Sequence, residues 1–168
     1  MQLNAKRVRQ TTQHSLVAFT VGPVRYALEI ARVREIVTPL PLTLLPHTPE
    51  GLAGVADHRA EVVPVVDLRA RFGLEPAADR NKKTKWILVQ VAGRAVGLMV
   101  DDVLGVLRVG ETDLRPPPDL GGGDRLRGIS YVTTVDGELV FVLDVTVFEK
   151  LAENFDHRSL MAPGPERG

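Results

Sequence analysis

The stretch Y26-A-L-E-I-A-R-V-R-E-I36 recurs in pattern as V96-G-L-M-V-D-D-V-L-G-V106, at a constant offset of 70 residues. Apolar meets apolar at positions 26, 28, 30, 33 and 36 of the first copy. The offset is much longer than a solenoid repeat, so it predicts a duplicated small unit instead of a stacked array. Within V24-R-Y-A-L-E-I30, Val24, Tyr26, Leu28 and Ile30 alternate with Arg25, Ala27 and Glu29, the pattern of a half-buried strand. L16-V-A-F-T-V21 precedes it across Gly22-Pro23, which predicts a hairpin. Further on, Gly54 followed by V62-V-P-V-V-D-L68 is echoed by Gly128 followed by L139-V-F-V-L-D-V145. Short apolar strands in units this small are best served by closure, so the expected fold is mainly β: two tandem five-stranded barrels with short helices.

The segments between these strands carry their own signals. PLPLTLLPHTP, from Pro39 to Pro49, reads as an extended loop, and Pro64 predicts that its strand is an edge or is bulged. In D67-L-R-A-R-F-G73, Asp67 can cap a short helix that Gly73 ends. Asp144 follows the matching strand, so a helix-start cap explains the recurrence better than a duplicated catalytic acid. The polar E75-P-A-A-D-R-N-K-K-T-K85 reads as a linker between halves of about 15–80 and 81–152, with strand exchange between them left open. T146-V-F-E-K-L-A-E-N-F155 places Val147, Phe148, Leu151, Ala152 and Phe155 on one helical face, with Thr146 and Glu149 spaced as a capping box. Residues 1–14 and 153–168 lack usable periodicity and read as mobile tails.

Composition removes several function classes. The 168 residues carry 21 basic and 21 acidic side chains, so no net charge draws the chain to nucleic acid or anionic membrane. There is no cysteine, hence no thiol nucleophile, disulfide or thiolate metal site. Apolar runs such as W86-I-L-V-Q-V91 are far below the ~20 residues of a spanning helix, and the N-terminus lacks the apolar region of a signal peptide. The expectation is a cytoplasmic protein.

Candidate chemistry is sparse. His14, His47, His58 and His157 are scattered, none within three to five residues of another, so they lack metal-ligand spacing. Ser15, Ser130 and Ser159 sit in no G-x-S-x-G elbow. The adjacent Asp101 and Asp102 are the more tempting carboxylate pair. The glycines of L120-G-G-G-D-R-L-R-G128 lack the G-K-[ST] continuation of a phosphate loop. Lys82, Lys83 and Lys85 beside Trp86 could contact single-stranded nucleic acid, but aromatics are only 5% of the chain, too few for a stacking platform. A small-barrel nucleic-acid module is therefore the alternative, not the leading reading. What remains is G54-V-A-D-H-R-A-E-V-V-P-V-V-D-L-R69, read as a strand with Val55, Asp57 and Arg59 on one face: apolar area with an orienting guanidinium, the composition of a protein contact surface. An Asp57–Arg59 surface ion pair is the plainer reading of the same residues.

Taken in order, Y26-A-L-E-I-A-R-V-R-E-I36, the PHTPEGLAGV segment from Pro46 to Val55, R59-A-E-V-V-P-V-V-D-L-R69, R94-A-V-G-L-M-V-D-D-V-L-G-V-L107, and G128-I with L139-V-F-V-L-D-V145 resemble the CheW family of chemotaxis coupling proteins over about residues 15–152. The resemblance implies paired barrels of SH3-like or OB-like topology. It implies a cytoplasmic adaptor without catalysis, cofactor or metal, recruited to chemoreceptor arrays. Its partners would be the cytoplasmic tip of methyl-accepting chemoreceptors, the regulatory domain of a CheA-type histidine kinase and other CheW-like domains in array rings. Arg59 matches the arginine of the family's N-L-R-G segment, written here Asp57-His58-Arg59-Ala60, and would contact the receptor. Val33, Trp86, Val96, Gly97 and Val106 would line the receptor-binding groove between barrels, Trp86 as a bulky departure. Glu35 and Ile36 match V-x-E-I and would grip the kinase on a face separate from Arg59.

Overall fold

The structure is a computed structural model that describes residues 12–49, 51–77, 82–119 and 128–154. Among the described residues, ten strands make two five-stranded sheets. β1 (Gln13–Val21) and β2 (Val24–Glu29) form the expected hairpin, turning at Gly22 with φ +59. They are followed by β3 (Val33–Val37), β4 (Leu52–His58), β5 (Glu61–Asp67) and helix α1 (Leu68–Arg71). β6 (Lys85–Val91), β7 (Arg94–Val100), β8 (Asp102–Gly110), β9 (Ile129–Val135) and β10 (Glu138–Leu143) come next, then a 3-10 turn at Val145–Phe148 and helix α2 (Glu149–Asn154).

The first sheet has the order β8-β1-β2-β10-β9 and the second β3-β6-β7-β5-β4. Each therefore takes strands from both halves of the chain, and no cut near residue 80 separates the sheets. The repeat extends to irregularities: the bulge after Ala18 in the β1–β8 ladder matches the one opposite Leu88 in β3–β6. Tyr131 opposite Val142 likewise matches Gly54 opposite Val65, after a bulge in each hairpin, so the counterpart of Gly128 is Gly51 and not, as expected, Gly54. Full barrel closure, expected from the sequence, is not what the ladders do. β8 and β9 remain edges of one sheet and β3 and β4 of the other, and single bridges, Arg115 to Val132 and Thr43 to Val55, join chain beyond β8 and β3 to the far edge.

Side-chain alternation sorts the core into three clusters. Leu16, Ala27, Val109, Val140 and Val142 fill the curl of the first sheet, and Val63, Val65, Trp86, Leu88, Ala95 and Met99 that of the second. The opposite faces of the same strands supply Phe19, Leu28, Ile87, Val89, Val96 and Leu98 to a core shared by both sheets. β2 is thus buried on both faces at Tyr26, Ala27 and Leu28, not half-buried, and Ile30 lies outside the strand and is exposed. Arg25 and Glu29 misled the alternation because they sit near the strand ends, where even a two-sided strand meets water.

Pro64 lies in an inner strand, so the edge alternative fails, while the β4–β5 ladder is bulged nearby, where Leu52 and Gly54 face Val66 and Val65. It stands opposite Val55, and pairing of β5 with β7 begins only at Val65, so the missing N–H falls outside the parallel ladder. The chain is paired earlier than the expected tail boundary of residue 14, since β1 starts at Gln13, and α2 continues to Asn154. Residues 1–11 and 155–168, Phe155 included, lie outside the described residues.

Asp67 caps α1, its Oδ1 accepting from the N–H of Arg69 at 2.9 Å and of Ala70 at 3.4 Å, and Gly73 follows at φ +71. Asp144 does the same for the second turn, taking the Thr146 N–H at 2.9 Å and its hydroxyl at 2.7 Å. The cap is Asp144, not the expected Thr146–Glu149 box, because the turn begins as 3-10 at Val145, two residues earlier than that box requires. Asp67→Asn is expected to lower stability by about 1 kcal/mol or less, since asparagine caps nearly as well; a chemical denaturation midpoint checks it. Asp101 is structural too. It takes Arg69 Nε on both oxygens (2.9 and 3.0 Å) and the Gly22 N–H at 2.7 Å, tying α1 to the β1–β2 turn.

Candidate protein-contact surface

The β4–β5 hairpin turns on Arg59 and Ala60, both at positive φ (52 and 63). This is the left-handed backbone that two-residue hairpin turns use. Arg59 therefore leaves the strand and does not share a face with Asp57. Its Nη2 donates to Glu35 Oε1 at 3.0 Å, across from β3, while 76% of its side chain stays exposed. His58 Nε2 meets the other carboxylate oxygen, Oε2, at 3.0 Å. Alongside, Arg34 Nη1 donates to Glu61 Oε2 at 2.9 Å.

β3 and β4 are opposite edges of one sheet, and the curl of that sheet is what brings these side chains together. Glu35 is held below its ordinary value by the hydrogen bond with His58 and by the charges of Arg59, His58 and Arg34, with desolvation opposing. The expected separation of Arg59 from Glu35 is thus corrected: the two are in direct contact. The expected Asp57–Arg59 pair is replaced by the Glu35–Arg59 pair. In the first sheet the same turn is Asp136-Gly137, also at positive φ (50 and 77). Gly105 occupies the position matching Glu35 there, so the cluster exists on one sheet only.

The other expected site residues divide by burial. Ile36 on β3 and Val106 on β8 are 40% and 57% exposed and occupy matching positions on the edge strands of the two sheets. Val33 is half-buried against the shared core. Trp86 is 1% exposed and Val96 0%; Trp86 points into the curl of the second sheet and Val96 into the shared core. Gly97 is buried, and a Cβ there would meet Val65 Cγ2 at 3.2 Å. These three cannot line a surface groove: β6 and β7 are inner strands covered on both faces, and a buried side chain offers a partner no area. Burial of Trp86 also removes the one stacking residue beside Lys82, Lys83 and Lys85. The alternation of W86-I-L-V-Q-V91 could not signal this, since both of its faces are apolar.

Leu104, next to Val106 on β8, is exposed as well and was not singled out from the sequence. Its signal was available, as it matches Arg34 in the repeat and adds an apolar side chain to an otherwise polar edge position. Hollows of about 250 Å³ (beside Leu52, Phe148 and Leu151) and 320 Å³ (beside Glu29, Tyr131 and Asp144) do not include Glu35, His58 or Arg59. The charge cluster lies on open surface. Among the described residues no group of histidines and carboxylates could hold a metal ion, and no helix is long and apolar enough to cross a membrane.

Comparison with known proteins agrees with this architecture. Residues 15–151 match the family description "CheW-like domain". "Chemotaxis protein CheW" of Rhizobium meliloti (strain 1021) is 33% identical over 142 residues, 84% of this chain and 91% of that protein. "Protein FrzA" of Myxococcus xanthus is 30% identical over 148 residues, 88% of this chain and 91% of that protein. The crystal structure of the scaffolding protein TtCheW from Thermoanaerobacter tengcongensis superposes with a TM-score of 0.73 at 28% identity, covering 79% of this chain and 90% of that one. With two exchanged five-stranded sheets and a family match over most of its length, the chain belongs to the CheW-like family.

Proposed function

We propose that this protein is a non-catalytic scaffold that couples methyl-accepting chemoreceptors to a CheA-type histidine kinase, working in the cytoplasm at receptor arrays. Arg59 is the receptor anchor. Glu35 and Ile36 on β3 contact the regulatory domain of the kinase, and Val106 on the matching edge of the first sheet supplies apolar area to the receptor or to a neighbouring CheW-like domain. Val33, Trp86, Val96 and Gly97 act from beneath, setting the curvature that carries β3 and the β4–β5 turn.

The observation that carries this reading is the Glu35–His58–Arg59 cluster, in which Arg59 is exposed while Glu35 and His58 are half-buried. An exposed guanidinium held by a carboxylate suits protein recognition, where charge fixes orientation, and Ile36 offers exposed apolar area on the opposite face of β3. Edge strands left open at Ile36 and Val106 can accept a partner's strand or side chains. In gel filtration the protein is expected to co-elute with the regulatory domain of a CheA-type kinase, and with a soluble receptor signalling fragment when both are present. Separate elution from both at micromolar concentration would refute the coupling role.

A further inference from the structure

This chain has His58 where the N-L-R-G segment has leucine, and His58 shares the Glu35 carboxylate with Arg59. Four side chains complete its electrostatic surroundings. Glu35 and Arg34 come from β3, Arg59 from the turn, and Glu61 from β5, where it stands opposite His58 in the ladder. β6, on the far side of β3, places Leu88 opposite Glu35 and adds no charge there. Asp57 precedes His58 in β4 and points to the other face of the strand.

We propose that His58 is a positioning residue whose protonation sets how firmly Glu35 holds Arg59, making recognition of an anionic partner pH-dependent. The inference rests on the reading of Arg59 as the receptor anchor. A neutral imidazole with its proton on Nε2 donates to Glu35 but leaves the carboxylate charge to Arg59. An imidazolium takes a share of that charge, so the guanidinium is freer to leave Glu35 for a carboxylate on the partner. It also adds a positive charge beside the anchor. Both effects act in one direction: binding is tighter when His58 is protonated, binding takes up protons, and affinity falls as pH rises.

The test measures the Kd for a soluble receptor signalling-tip fragment from about pH 5.5 to 8.5, the range in which imidazole titrates, for the wild-type chain, His58→Asn and His58→Gln. Melting curves of the free proteins at each pH control for folding. The wild type is expected to bind about three- to tenfold more tightly at the acid end, the size of one partly exposed charge interaction. The variants, which keep His14, His47 and His157, should lose that slope. An equal slope in His58→Asn, or a flat wild-type profile, would overturn the inference. If no chain binds the fragment at any pH, the coupling role itself fails. In that case the sharing is judged by NMR: Arg59 guanidinium resonances that titrate with His58 in the wild type and not in Glu35→Gln support it, and resonances indifferent to His58 end it.

Discussion

Arg59→Glu is expected to weaken binding of the receptor tip by about 30- to several-thousand-fold, the ~2–5 kcal/mol that follows from opposing a charge at a contact centre. The side chain is mostly exposed, so an anchor of this kind contributes little to the fold. Exposed ion pairs are worth only ~0–1 kcal/mol. Position 59 keeps a side chain of ordinary kind at the same positive φ, so backbone strain does not change. The partner that is lost, however, is Glu35. Arg59→Glu sets a second carboxylate against Glu35 and leaves Arg34 as its nearby cation, so kinase binding through the β3 edge should weaken too, by a smaller factor. Arg59→Gln, which removes the charge without opposing Glu35, should spare the kinase and still cost receptor affinity. Separate titrations against receptor and kinase fragments, with thermal melts, distinguish these outcomes. A melted protein, or unchanged receptor affinity in both variants, would exclude the anchor role.

Leu98→Ala should destabilise the whole chain by ~2–5 kcal/mol, the cost of deleting a large aliphatic side chain from a packed site. Leu98 is fully buried in the core shared by both sheets, paired with Ile87 on one side and Val66 on the other. Against a total stability of about 5–15 kcal/mol for a domain of this kind, that loss is severe. The location also predicts how unfolding proceeds. Trp86 is the only tryptophan of the chain and sits inside the second sheet, so its fluorescence follows that sheet, whereas far-UV circular dichroism follows both. The two signals should move together in urea, for the wild type and for Leu98→Ala, because the shared core and the exchanged strands make the sheets one cooperative unit. Separate midpoints would mean that the sheets unfold independently.

The repeat was legible because each copy must bury the same face of the same strands, and apolar periodicity records that demand locally. Hairpin β1–β2 and the caps at Asp67 and Asp144 were legible for a related reason: a turn glycine or a capping carboxylate acts on backbone two or three residues away. The geometry of Arg59 was not legible. Arg59 and Ala60 complete a hairpin turn whose limits depend on where the β4–β5 ladder ends.

Trp86, Val96 and Gly97 show the limit from another side. Their strands are apolar at nearly every position, and alternation cannot assign a face when both faces are buried. Only the order β3-β6-β7-β5-β4, with its neighbour sheet packed on the outside, decides that these residues are interior while Ile36 and Val106 on edge strands are not. Local sequence thus determined the elements, their duplication and the caps, since those depend on interactions a few residues long. Strand exchange and the meeting of Glu35, His58 and Arg59 were decided by tertiary structure, because β3 and β4 lie at opposite edges of the sheet and come within hydrogen-bonding reach only when that sheet curls.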